Sequence, residues 1–164
     1  MRALLLIMIF FALGSVAPIS TQHNGDDANG IPAVFELGAD DDALSELAPN
    51  YTGNLMSVCG NSMDKAYKHW MFLLIDMEDY SRKINFDLNG VKIWLNVYWN
   101  KNGKIDLISF YPKANSKNIP NAELKAFLLS FARQYQMEDL NSSIHFVHYG
   151  SASFPNHAEL MIPD

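Results

Sequence analysis

The sequence predicts an α+β fold: a small, mostly antiparallel sheet of three to five strands packed against two helices, after a signal peptide and an acidic linker. Three observations predict it. A long helical stripe runs from Met63 to Met77. It is followed by stretches that alternate apolar and polar residues at period two, and then by a second amphipathic helix and another alternating stretch. Ten Phe, seven Tyr and three Trp supply a core, while the single cysteine, Cys59, rules out an internal disulfide framework. Cys59 itself reads as a small buried hydrophobe.

The chain divides into residues 1–20 as signal peptide, 21–57 as acidic flexible linker and 58–164 as one α+β domain. Arg2 supplies a positive start, Ala3 to Leu13 are unbroken apolar residues, and Ser15-Val16-Ala17 offers the small residues a signal peptidase reads. Cleavage is expected between Ala17 and Gln22. The apolar run is shorter than the ~20 residues of a spanning helix, so no stable membrane span is expected after processing. Localisation is therefore predicted to be extracytoplasmic, periplasmic or secreted.

Between Pro18 and Asn61 lie seven acids and no Lys or Arg, whereas eleven acids face eleven bases from Ser62 onward. The folded part is thus close to neutral. This excludes nucleic acid as a partner on charge grounds, because phosphate binding needs clustered bases. Within the linker, Ala43, Leu44 and Leu47 allow a short helical turn over Asp42 to Leu47. Asp40-Asp41-Asp42 lacks the alternating ligands, Gly and distant Glu of a calcium loop, and reads as a solvated acidic run.

Ser62 is a good N-cap with Asp64 in the first turn. Met63, Ala66, Tyr67, Trp70, Met71, Leu74 and Met77 form one helical stripe, and Phe72, Leu73 and Ile75 widen it, so this helix should be covered on more than one flank. Next, Ile84 to Leu88 alternates, Asn89-Gly90 is the preferred type I′ pair, and Val91 to Trp99 alternates again, predicting a hairpin. Val91, Ile93, Leu95, Val97 and Trp99 share one face; Lys92, Trp94, Asn96 and Tyr98 share the other. Asn100 to Gly103 predicts a second turn into a strand over Lys104 to Tyr111. Pro120 and Asn121 open a helix with Leu124, Phe127, Leu128, Phe131, Ala132 and Tyr135 on its apolar side. A last strand is predicted over Ile144 to Tyr149, and a short edge strand over Glu159 to Ile162.

No catalytic residues, metal ligands or cofactor are assigned. His145 and His148 are three apart, which on a strand places them on opposite faces. An enzyme would require one of them to converge with Asp or Glu in a cleft. There is no Gly-x-Ser-x-Gly elbow, and Gly150-Ser151-Ala152-Ser153 lacks the Lys of a phosphate loop. The Asn50-Tyr51-Thr52 and Asn141-Ser142-Ser143 sequons bear on glycosylation only in a eukaryotic host.

The order helix ending near Tyr80, Gly90, strand Val91 to Tyr98, Asn102-Gly103 turn, strand Lys104 to Phe110, helix Ala122 to Tyr135 and strand Ile144 to Tyr149 resembles the C-terminal domain of the energy transducer TonB, over residues 70–154. Ser81 stands where that family usually has Pro, and the chain carries no Pro-rich spacer. The resemblance implies a binding mode, in which a sheet edge accepts an extended peptide by strand addition. Trp94 and Tyr98 could line such a site or could pack beneath a helix. The function expected is therefore a protein-interaction module with a protein or peptide partner. The alternative is a small-ligand carrier of cystatin-like or nuclear-transport-factor-like shape, with an apolar pocket beside the first helix at Trp70.

Overall fold

The computed structural model describes residues 27–28, 31–39, 41–140 and 142–156. The signal peptide over residues 1–20 and the edge strand over Glu159 to Ile162 lie outside them. In chain order, β1 (Asp27–Ala28) and β2 (Ile31–Pro32) form a small antiparallel pair. Then come β3 (Val34–Glu36), α1 (Asp41–Leu47), a 3-10 turn (Ala48–Asn50), β4 (Gly53–Asn54), α2 (Leu55–Val58) and α3 (Met63–Lys83). The chain continues as β5 (Lys92–Trp99), β6 (Ile105–Pro112), α4 (Asn121–Gln134) and β7 (Phe146–Ser153).

Five strands form one mixed sheet in the order β3-β6-β5-β7-β4. Its centre is antiparallel, with β5 between β6 and β7, while β3 lies parallel to β6 and β4 parallel to β7. The α+β prediction holds. The helices α3 and α4 cover one face, burying Val91, Ile93, Leu95, Val97 and Trp99 together with Ile108, Phe110, Phe146 and Ala152.

Most of this follows from local chemistry. The Ser62 hydroxyl accepts the Lys65 amide and starts α3. The stripe buries Ala66, Trp70, Met71, Leu74 and Met77, with Leu73 added, whereas Met63 and Tyr67 remain exposed. In α4, the expected face of Leu124, Phe127, Leu128, Phe131, Ala132 and Tyr135 is buried. Asn100 shapes the β5–β6 turn, its Oδ1 accepting the amides of Asn102 at 2.9 Å and Lys104 at 3.2 Å. Gly103 completes the turn at φ +78°.

Three expectations are corrected. First, the hairpin over Ile84 to Trp99 does not form. The alternating residues end α3 instead: the Phe86 amide donates to Ser81 O, the Asn85 amide donates to Arg82 O, and Asn85 is left-handed at φ +56°. That is a Schellman cap, and it places Phe86 in a stack on Phe127 at 4.5 Å. Asn89-Gly90 still makes a turn, closed by Val91 N to Leu88 O, but only Gly90 has positive φ, so it is not type I′. Second, β7 runs from Phe146 to Ser153, later than predicted, because it pairs with the whole of β5.

Third, the stretch taken as a linker supplies structure. β3 inserts beside β6 and buries Val34 and Phe35 on opposite faces of the sheet. The helical turn expected over Asp42 to Leu47 is α1. It crosses the second sheet face, where Leu44 and Leu47 close over Tyr98, Leu107 and Val147. Asn121 Nδ2 donates to Glu36 Oε2 at 2.6 Å and ties α4 to β3.

Candidate functional site

The period of the strands decides what lies on the second sheet face. Trp94 pairs with Tyr111 on β6 and Ser151 on β7; two residues on, Asn96 pairs with Ser109 and Tyr149; two further, Tyr98 pairs with Leu107 and Val147. The Tyr98 row lies beneath α1, while in the other two rows Ser109 is buried and the aromatic rings are exposed. Trp94 is 52% exposed, Tyr111 51% and Tyr149 61%. Lys113 lies over the Trp94 ring at 4.3 Å and reaches the Ser151 hydroxyl at 2.5 Å. Asn96 Nδ2 donates to the Ser109 hydroxyl at 3.1 Å, so the polar pair between the rings is satisfied.

The two readings of Trp94 and Tyr98 therefore divide between the residues. Trp94 is solvent-facing. Tyr98 is only 2% exposed and packs edge-on against Tyr51 at 5.0 Å. Burial, with Tyr149 alongside, pushes the Tyr98 hydroxyl above the usual tyrosine range. Trp70 is separated from both by the sheet: it is buried on the helix face, tilted on the His148 ring at 4.6 Å and seated on Gly150. Trp70 is thus in direct contact with the His148 ring and the Gly150 backbone.

The three residues are not brought together, but the strand between them is. Along β7, Trp70 lies against one side of Gly150, and Tyr149 and Ser151 project from the other. β4 pairs with β7 only at Phe146 and Val147. At the next residue the chain leaves the sheet, because Asn54 caps α2: its Oδ1 accepts the Ser57 amide at 2.9 Å while the Ser57 hydroxyl accepts the Asn54 amide at 3.0 Å. Among the described residues, no strand pairs with the outer edge of β7 from His148 to Ser153.

His145 converges with a carboxylate. Its Nδ1 lies 3.4 Å from Asp106 Oδ2, which accepts the Tyr51 hydroxyl at 3.2 Å, while Asp106 Oδ1 accepts Asn100 Nδ2 at 3.0 Å. This group joins the 3-10 turn exit, the β5–β6 turn and the approach to β7. Its carboxylate is committed to three neighbours, which suits a structural tie better than a proton shuttle.

No family model, curated protein or solved structure matches this chain. Its function is therefore argued from the geometry.

Tyr111, Tyr149 and Lys113 are the surface residues that sequence reasoning missed. The signal for the two tyrosines was present: alternation from Trp94 through its cross-strand partners places them on its face. It was not usable without the register. Among the described residues, no helix is long and apolar enough to cross a membrane.

Proposed function

We propose that this protein is an exported protein-interaction module that takes an extended peptide as an added strand along β7. The observation that carries the reading is the edge from His148 to Ser153, which no strand among the described residues pairs, because β4 turns into α2 at Asn54. An unpaired edge offers a row of backbone donors and acceptors to an incoming strand. From Gly150 to Ser153 the side chains are small, so a second backbone can approach that half of the edge. Alternate side chains of the peptide would meet Tyr149 and Ser151 on one face and the Trp70 flank on the other.

The TonB-like order of elements supports the same binding mode, and the apolar leader Ala3 to Leu13 supports export. The exposed Trp94 and Tyr149 rings would add contact area beyond the main-chain hydrogen bonds.

Selection from a random linear peptide library tests the reading. Selected peptides should bind extended, and N-methylation of alternate residues in one register should weaken them by about tenfold or more, one lost hydrogen bond per methyl. Peptides indifferent to N-methylation in both registers would contradict it.

A further inference from the structure

A second feature lies on the helical side. The segment after α4, Tyr135 to Asp139, folds back toward α3 and is held by Met137 N donating to Gly103 O at 2.9 Å. Between it and α3 lies a cleft of about 320 Å³, lined by His69, Phe72 and Asp76 on α3 and by Tyr135, Glu138 and Asp139 opposite. Three carboxylates thus face one opening, together with two aromatic rings.

Tyr135 makes this more than an acidic cluster. It is only 8% exposed, yet its hydroxyl lines the cleft and has no hydrogen-bond partner among the described residues. Its oxygen is therefore available to whatever occupies the cleft. Burial, with Asp76 and Glu138 nearby, holds its proton on more firmly than usual. Asp76 is also held above the usual carboxylate range by burial, then by Asp79 and Glu138, against the opposing pull of Lys83. Neither Lys83 nor Lys68 makes an ion pair with Asp76; Lys68 lies instead over the Phe72 ring at 5.5 Å.

We propose that this cleft binds an organic cation, a primary ammonium or guanidinium on an alkyl stem. The charged head would sit between Asp76 and Glu138 and donate to the free Tyr135 oxygen. Its stem would lie along Phe72 and Met137, using ring faces as well as carboxylates. A hard divalent ion fits less well. It needs six to eight oxygens, or a tight set of donors, and among the described residues no three His, Cys, Asp or Glu side chains converge on one point. The cation could arrive as a free diamine or as a Lys or Arg side chain of a partner.

Calorimetric titration at low salt tests this with four probes: 1,4-diaminobutane, agmatine, a capped Gly-Arg-Gly tripeptide and calcium chloride. Saturable binding of an organic cation is expected. Asp76→Asn or Glu138→Gln should weaken it by about tenfold, and Tyr135→Phe by about threefold. The exposed Asp87→Asn, remote at the Lys117 ion pair, should change nothing. Asp76→Asn relieves repulsion, so it should fold at least as well as the parent, which separates lost binding from lost structure. Tighter binding of the free amines identifies a small-molecule ligand, and tighter binding of the tripeptide identifies a partner's side chain. Either result supports the cleft. Calcium binding tighter than every organic probe, no saturable binding of any organic probe, or binding unchanged in Asp76→Asn would each overturn it.

Discussion

The indole of Trp70 rests on Gly150 so closely that a Cβ at position 150 would collide with the ring. The contact joins α3 to β7 and fixes how far the helix stands from the strand that carries the proposed binding edge. Gly150→Ala should destabilise the protein by about 1–3 kcal/mol, the usual range for overpacking. Trp70→Ala removes the ring and should cost about 3–5 kcal/mol. In Trp70→Ala the penalty for Gly150→Ala should largely vanish. Urea unfolding of the two single variants and the double variant measures that coupling, and additive losses would contradict the contact.

Trp94 and Tyr98 share a strand and a face but should behave differently. Trp94→Ala removes an exposed ring and should change stability by less than about 0.5 kcal/mol. Its cost should appear in peptide binding, by about tenfold if the ring is a contact anchor. Tyr98→Ala opens the cluster of Phe35, Leu47, Leu107 and Val147 and should cost about 3–5 kcal/mol. Thermal unfolding read beside a binding titration separates the two.

Those two residues also show how far the sequence was legible. Period-two alternation placed Trp94 and Tyr98 on one face correctly, because β5 holds its register with both neighbours from Ile93 to Tyr98 and the irregularity against β6 comes only between Tyr98 and Trp99. It could not show that α1 covers the Tyr98 row and leaves the Trp94 ring exposed. β3 and α1 are too short to carry a period, and Phe35 and Leu47 acquire their roles only through contacts with β6, β5 and β7. The Ile84 to Leu88 alternation misled for the opposite reason. Its apolar residues serve the end of α3, and a left-handed Asn85 makes an extended strand impossible. The β7 edge was invisible to pattern, since a strand's register and neighbours are tertiary facts.

Acid should loosen the Trp70 contact through His148. Burial holds His148 below the ordinary histidine value of 6.5. The folded state therefore resists protonation that the unfolded chain accepts. The destabilisation is absent above the unfolded value, grows as pH falls through it, and levels off below the lowered folded value. His69, lowered mainly by burial, adds in the same direction. The melting temperature should fall between pH 7 and pH 5, and His148→Gln should flatten that slope. An unchanged slope in the variant would place the sensitivity elsewhere.

Asp106 is predicted to be a tie. Asp106→Ala leaves Tyr51, Asn100 and His145 without their shared acceptor, and should cost about 1–3 kcal/mol. Tyr51→Phe should cost less. A double-mutant cycle should show coupling between Tyr51 and Asp106, and its absence would mean the 3.2 Å contact contributes nothing.

Backbone amide hydrogen exchange, followed by NMR with and without a selected peptide, tests the central claim most directly. Strand addition predicts that alternate amides between His148 and Ser153, fast in the free protein, become protected on binding, while the inward amides paired with β5 are protected throughout. Saturating peptide that leaves all amides of residues 148–153 at their free rates would contradict the account.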